Sequence, residues 1–327
     1  MPYRFPFSPV RRLLLCAAAL LCAGVACAQG GYPSQPIKLI VPFPPAGGTD
    51  VVSRLMADAV TQATHWNIVI DNRPGAGGNI GIDAVAKARP DGLTIGMAQT
   101  SNLAINPALY RKMPFDALKD FAPVMLVGSQ PVVLVVRADS PIHTLADLKA
   151  RAKARPLNMA SAGNGTVSHL AGAMFAHEAG VELTHVAYKG AGPAITDLLA
   201  GQTDLYFGTP PSVLPMIKAG KLRAVAVTSA QRMPLLPAVP TVAESGYPGY
   251  VAEDWKALVA PAGTPADVVQ TLNKAFNAAL ARPATLARLR EEGTTPRGGT
   301  PAELADLMNS EHQRWGAAVK ASGATVE

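Results

Sequence analysis

The sequence predicts an α/β fold of two domains with a ligand cleft between them. Three observations carry this. Apolar, β-branched runs alternate with amphipathic helical stretches, the pattern of a sheet with helices on its faces. Glycine-rich bends recur where a strand ends and a helix begins, which is where ligands sit in such folds. One series of strands and helices, over 132–228, interrupts another.

Residues 1–28 read as a secretory signal: Arg4, Arg11 and Arg12 precede an apolar run, and Ala26-Cys27-Ala28 is a small-x-small cleavage site. The run is short of the roughly 20 residues a membrane span needs. Gly24 stands where a lipobox prefers Leu, which argues against lipid attachment at Cys27. All three cysteines lie in the signal, so the mature chain of 299 residues has no thiol for a disulfide, a zinc site or a nucleophile. Its 26 Lys plus Arg stand against 23 Asp plus Glu, a net of +3 with no basic run. Nucleic acid is not an expected partner.

The mature chain opens with Leu39-Ile40-Val41, a buried strand, followed by the bend Pro42-Phe43-Pro44-Pro45-Ala46-Gly47-Gly48. Thr49-Asp50 then begins a helix whose Val52, Leu55, Met56, Ala59 and Val60 make one apolar stripe. A second strand, 67–70, runs into a second glycine bend, 75–78, and a helix with Ile80, Ala84 and Val85. The turn Pro90-Asp91-Gly92 leads to a third strand, 93–98, and the polar loop 99–102. This strand–helix alternation predicts a parallel sheet.

The second series has strands at 132–136, 157–161, 184–188, 204–207 and 222–228. Thr144 with Asp147 forms a capping box for one of its helices. The bend Gly163-Asn164-Gly165-Thr166 opens another, which carries Leu170, Met174 and Phe175. The remainder has a strand within 251–260 and helices started by Thr264-Pro265 and Thr300-Pro301, each with an acid in the capping-box position. A helical tail that packs back on the first series makes the first domain discontinuous, 29–131 with 229–327, and the second 132–228.

A glycine has no Cβ, so backbone can approach a ligand at Gly47-Gly48 and over 75–78. A helix N-terminus beside such a bend presents unpaired N–H groups and the positive end of a dipole, so two of them suggest a cradle for a small carboxylate. Thr166 and Ser168 bring hydroxyls to a helix start, where capping and ligand contact are both open. Asp204 is open to an Asx-turn or a ligand contact, His169 to packing or a ligand, and Lys189 to anion steering or plain solvation. The dinucleotide fingerprint fails at Ile80, H-E-x-x-H fails at Val181, and the nucleophile elbow fails at Met159. No metal, no cofactor and no catalysis are expected.

The chain resembles the periplasmic solute receptors of tripartite tricarboxylate transporters, the Bug receptors. The likeness is carried by IKLIVPFPPAGGTD, DNRPGAGGNIGIDAVAKARPDG, SAGNGTVSHLAG, VAYKGAGPAITDLLAGQTDLYF, AGKLRAVAVTS, VPTVAESGYPGY and APAGTP, in that order. It implies a two-domain flytrap of the type II periplasmic-binding-protein class, monomeric, closing on a small carboxylate without a cofactor. The opening loops, with Phe43, Ala46, Gly47, Gly48, Thr49 and Asp50, and Ala76, Gly77 and Gly78, would hold the carboxylate mostly by backbone amides. The second domain would contribute Gly163, Asn164, Gly165, Thr166, Ser168 and, through a water, Asp204; Ser101 is a further candidate. Ala173 replaces an acid common in the family. The implied partner is a membrane permease, with a sensor kinase as the alternative. With no Arg in the loop tips except Arg73, a mono- or dicarboxylate is expected ahead of a tricarboxylate.

Overall fold

The computed structural model describes residues 32–326. The expected signal, with Cys27 and the Arg11-Arg12 pair, lies outside them. Among the described residues no helix is long and apolar enough to cross a membrane.

The chain begins with β1 (Ile37–Val41), α1 (Gly48–Thr64), β2 (Ile68–Asn72), α2 (Asn79–Ala86) and β3 (Thr94–Gln99). β1 pairs in parallel with both β2 and β3, as the alternating pattern predicts. Ile37, Leu39, Ile40 and Val41 are all buried. Each such side chain contributes about 1.5–3 kcal/mol relative to exposure. Val52, Met56 and Val60 face inward from α1, which ends where His65 adopts a left-handed φ of 61°. The polar loop expected after β3 is instead a buried π-helical turn, Ser101–Ile105, continuing into α3 (Asn106–Leu109).

The first sheet is mixed where a parallel one was expected. β4 (Phe121–Pro131) and β10 (Glu253–Pro261) complete it with β11 (Thr295–Pro296), giving the order β11-β4-β10-β3-β1-β2. β10 runs antiparallel to both β3 and β4. The long strand β4 was not expected, because prolines at 123 and 131 and Gly128 blur its alternation. The second sheet consists of β5 (Val133–Arg137), β6 (Leu157–Ser161), β7 (Leu183–Ala187), β8 (Leu205–Gly208) and β9 (Leu222–Val227) in the order β7-β6-β8-β5-β9. β6 is parallel to β7 and β8, while β5 is antiparallel to β8 and β9. Its helices are α4 (Leu145–Ala154), α5 (Val167–Ala179), α6 (Ala191–Leu199) and α7 (Pro210–Lys218). After β10 come α8 (Ala266–Leu280), α9 (Pro283–Glu291) and α10 (Pro301–Ser322). Of the three expected capping boxes, those on Thr144 and Thr300 form; at α8 Pro265 takes the N-cap position without a side-chain cap, and Thr264 Oγ1 donates to the Pro261 carbonyl at 2.7 Å instead. α10 packs on β4 and on the π-helical turn, with Trp315 fully buried.

The two sheets meet at a clasp built on one hydroxyl. The Val132 amide donates to Thr228 Oγ1 at 2.9 Å, and Thr228 Oγ1 reaches the Ala252 carbonyl at 2.5 Å. The Thr228 amide donates to Val132 and the Ala252 amide to Thr228, at 3.1 and 2.9 Å. The two passages of the chain between the sheets, at Val132 and from Thr228 to Ala252, are thus joined at a residue with no exposed surface.

Packing behind the second sheet leaves no room at Gly172 of α5, where a Cβ would lie 1.8 Å from Met159 Sδ. Gly172→Ala should lower stability by about 1–3 kcal/mol through overpacking. Urea denaturation should show a lower midpoint with an unchanged slope; an unchanged midpoint would mean that the core yields freely there.

Candidate functional site

A cavity of about 150 Å³ lies where the strand ends of the two sheets face each other. From the first sheet it is lined by the bend after β1, from Phe43 to Thr49, and by Gln99 and Asp254. From the second it is lined by Ala162, Thr166, Ser168, Lys189, the start of α6, Tyr206 and Thr209.

Helix starts make up much of this wall. The first N–H groups of any helix lack intrahelical acceptors. α1 begins after Gly47 and α6 after Gly190, and neither helix has a side-chain cap. Their N-terminal residues line the cavity, so free backbone donors and two positive dipole ends converge on it. The start of α5 is the third, and there Thr166 Oγ1 accepts from the His169 amide at 3.3 Å. Lys189 adds a formal positive charge at the exposed edge. Such a surface recognises an anion.

The opening bend is held in shape from behind. Asp50 Oδ2 accepts from the Ala46 amide and from Arg54 Nε, at 2.9 and 2.8 Å. Asn72 Nδ2 donates to Asp50 Oδ1 and to the Phe43 carbonyl, both at 2.9 Å. Burial works to raise the Asp50 pKa, but the bonds from Arg54, Asn72 and the Ala46 amide outweigh it and hold it below the ordinary carboxylate value. Thr49 Oγ1 donates to Gln99 Oε1 at 2.5 Å, and Gln99 Nε2 donates to Ser101 Oγ at 2.9 Å.

Of the residues singled out from the sequence, Phe43, Ala46, Gly47, Gly48, Thr49, Thr166 and Ser168 line the cavity. Asp50 and Ser101 stand behind it, bracing the bend and Gln99. Ala76, Gly77 and Gly78 do not line it: the Gly77 carbonyl accepts from Asn102 and Asn106, at 2.9 and 3.3 Å. A Cβ on Gly77 would lie 2.3 Å from the Asn164 carbonyl oxygen, and one on Gly165 would lie 1.9 Å from Asn106 Oδ1. The second glycine bend and Asn106 therefore close against Asn164 and Gly165 across the cleft, while Gly163 faces the Tyr188 carbonyl.

Asp204 also stands apart from the cavity. It precedes β8, whose other end, Gly208, leads into the cavity wall at Thr209. It pairs with Arg155 Nη2 at 2.6 Å and accepts from the Asn158 amide at 2.8 Å. Gln99, Lys189, the start of α6, Tyr206, Thr209 and Asp254 also line the cavity, beyond the residues that the sequence assigns to the site. Asp254 and Lys256 are opposite charges two apart in an apolar strand, a spacing that puts both on one face and could have drawn attention to them.

His169 is packed and does not line the cavity. Its ring stacks on His185 with centroids 3.8 Å apart. His169 Nδ1 accepts from the Gly165 amide at 3.3 Å, and His185 Nε2 lies 2.6 Å from Ser161 Oγ. Burial, helped by the neighbouring His185, lowers the His169 pKa to about 3, and burial lowers His185 to about 4. Two neutral rings thus support the 163–166 bend from below. Among the described residues no cluster of His, Cys, Asp and Glu could hold a metal ion.

Two mixed sheets with a cleft edged by helix N-termini define a solute-binding receptor. The family model of the tripartite tricarboxylate transporter family receptor matches residues 52–324, and the chain belongs to that family. Its members are periplasmic binding proteins that serve transport and are not enzymes. The fold is similar to that of the periplasmic binding protein BugD, with a TM-score of 0.86 and 34% identity over 90% of this chain and 100% of that one. It is similar to R. palustris Rpa4515 with adipate, with a TM-score of 0.88 and 36% identity over 90% and 100% of the two chains. It is also similar to MatC from Rhodopseudomonas palustris with bound malate, with a TM-score of 0.84 and 33% identity over 88% and 100%.

The histidine pair gives the stability a pH dependence of known sign. Both folded pKa values lie below the ordinary 6.5, so the unfolded chain takes up protons first as pH falls. The stability that depends on these neutral rings is complete above pH 6.5 and is lost progressively toward pH 4 and below. His169→Asn keeps an acceptor for the Gly165 amide without titrating. Between pH 7.5 and 5 the variant should lose less stability than the parent, by on the order of 2 kcal/mol in urea titrations. Equal losses would mean that His169 takes up its proton in the folded chain.

Proposed function

We propose that this chain is an exported receptor that captures a small mono- or dicarboxylate in the cavity and delivers it to a tripartite tricarboxylate-type permease. Its first 28 residues are the export signal. The observation that carries the reading is the convergence of the uncapped starts of α1 and α6 with Lys189 on one small cavity. The adipate and malate bound by its structural neighbours agree with it. In this reading 29–131 with 229–327 form one domain, 132–228 form the other, and Thr228 lies at their hinge. The carboxylate takes backbone donors from Gly48, Thr49, Ala191 and Gly192, while Phe43, Gln99, Thr166, Ser168 and Asp254 face the rest of the molecule.

A thermal-shift screen of ligand-stripped protein tests this, since a ligand that binds only the folded chain stabilises it by about 2.7 kcal/mol at a hundredfold excess over Kd. Mono- and dicarboxylates should raise Tm, dicarboxylates more than citrate. Shifts from uncharged sugars or cations alone would refute the reading.

Closure has a separate test. Gly77 at φ 62° meets the Asn164 carbonyl across the cleft, whereas Gly180 at φ 60° meets nothing within 4 Å. Alanine at either site carries a similar backbone cost of about 1–2 kcal/mol. Gly77→Ala should in addition weaken ligand binding by about tenfold or more, because overpacking falls on the closed contact; Gly180→Ala should not. Calorimetric titration of both variants measures the difference, and equal affinities would remove closure from the binding step.

A further inference from the structure

Asp254 is a carboxylate in the wall of a cavity otherwise suited to an anion. It lies near the start of β10, between β3 and β4, and only 3% of its surface is exposed. Oδ2 receives Lys256 Nζ at 2.8 Å, in a pair whose side chains are 5% and 1% exposed. Oδ1 is buried and has no hydrogen-bond partner. On the wall formed by the second sheet, Ser168 Oγ is also buried, beside the Tyr206 hydroxyl but with no hydrogen bond of ordinary geometry. A buried acceptor left unpaired loses its hydration with no return, so these two atoms call for a partner that arrives with the ligand.

The charges around the pair narrow what that partner is. Lys256 already balances Asp254, so the pair presents a neutral acceptor and not a free negative charge. The starts of α1, α5 and α6 and Lys189 make the rest of the cavity positive, which disfavours an incoming ammonium group. A hydroxyl carries one donor and two acceptor sites. A hydroxyl that bridges the two walls would donate to Asp254 Oδ1 and accept from Ser168 Oγ, satisfying both.

We propose that Asp254 and Ser168 read a hydroxyl on the captured acid, so that the receptor's ligands are hydroxycarboxylates. This rests on the carboxylate reading given above. Sites that hydrogen-bond a substrate hydroxyl reject the analogue without it far more strongly than sites that only enclose it, because the protein's own polar atoms are then left bare.

The test uses matched acids differing by one substituent: succinate, malate and aspartate; propionate and lactate; adipate and 3-hydroxyadipate. Calorimetric titration of the unmodified protein should show the hydroxylated member of a pair binding at least about tenfold tighter than its parent acid, and malate tighter than aspartate. The double variant Asp254→Leu/Lys256→Met removes the acceptor without leaving a buried ammonium unpaired. In it the preference should fall to within about threefold of unity, and Ser168→Ala should reduce it in part. If succinate and malate bind equally, a water serves Oδ1 and this inference fails while the carboxylate reading stands. Tighter aspartate, or a preference that survives in the double variant, also overturns it. If no member of any pair binds, both readings fail together. Should the double variant not fold, the comparison in the unmodified protein and in Ser168→Ala decides.

Discussion

The site depends on a rule about backbone hydrogen bonds: an N–H group taken out of water must find an acceptor. α1 and α6 begin without side-chain caps on the wall of a small cavity. A Ser or Asp at the N-cap would satisfy these donors internally. Gly47 and Gly190 leave them available instead. The remaining features of the opening bend make this arrangement rigid. Asp50 is buried and clamps Ala46, while Asn72 ties the Phe43 carbonyl to the same carboxylate. The donors are therefore fixed before any ligand arrives, which reduces the ordering cost of binding.

The glycines serve two purposes that look alike in a sequence. Those of the first bend expose backbone to the cavity. Those of the second bend, with Gly165, allow loops of the two sheets to approach more closely than a Cβ permits. Gly48 belongs partly to the second group, since a Cβ there would lie 2.6 Å from Thr209 Oγ1. Shape complementarity between the loops of the two sheets is thus written in absent side chains. The neutral His169–His185 stack beneath the 163–166 bend keeps one of these surfaces firm.

This division explains what was legible in the chain. The first three strands, the opening bend and two of the three capping boxes are readable because each is a local signal: an apolar run, a Pro-Gly cluster, or a hydroxyl three residues before an acid. β4 is not, because Pro123, Gly128 and Pro131 interrupt its pattern and its order depends on pairing with the distant β10. The second bend looks like a ligand loop in the sequence, because a glycine run gives no indication of what approaches it. Asp204 was placed in the site through resemblance to a family pattern, although it precedes its strand and ligands gather at strand C-terminal ends. Gln99 and Asp254 contribute through neighbours 50 or more residues away, and only the folded sheet brings them to the bend after β1.

Charge balance limits the kind of anion such a cavity suits. Each helix start carries about half a positive charge. Three of them and Lys189 amount to roughly two to two and a half positive charges, while Asp254 and Lys256 cancel. The α5 start is partly used by its own Thr166 cap, and Lys189 is exposed and therefore screened by salt. The effective field matches one or two negative charges. A third carboxylate would have to shed its hydration in a cavity of about 150 Å³ with no arginine in its wall to form a bidentate pair. Neutral polar recognition has no such ceiling, since each hydroxyl or amide can be satisfied one bond at a time. In the proposed reading, discrimination among acids of equal charge would therefore fall to the side chains facing the cavity, chiefly Gln99, Thr166, Ser168 and Asp254, while the shared backbone donors would hold the carboxylate common to all of them.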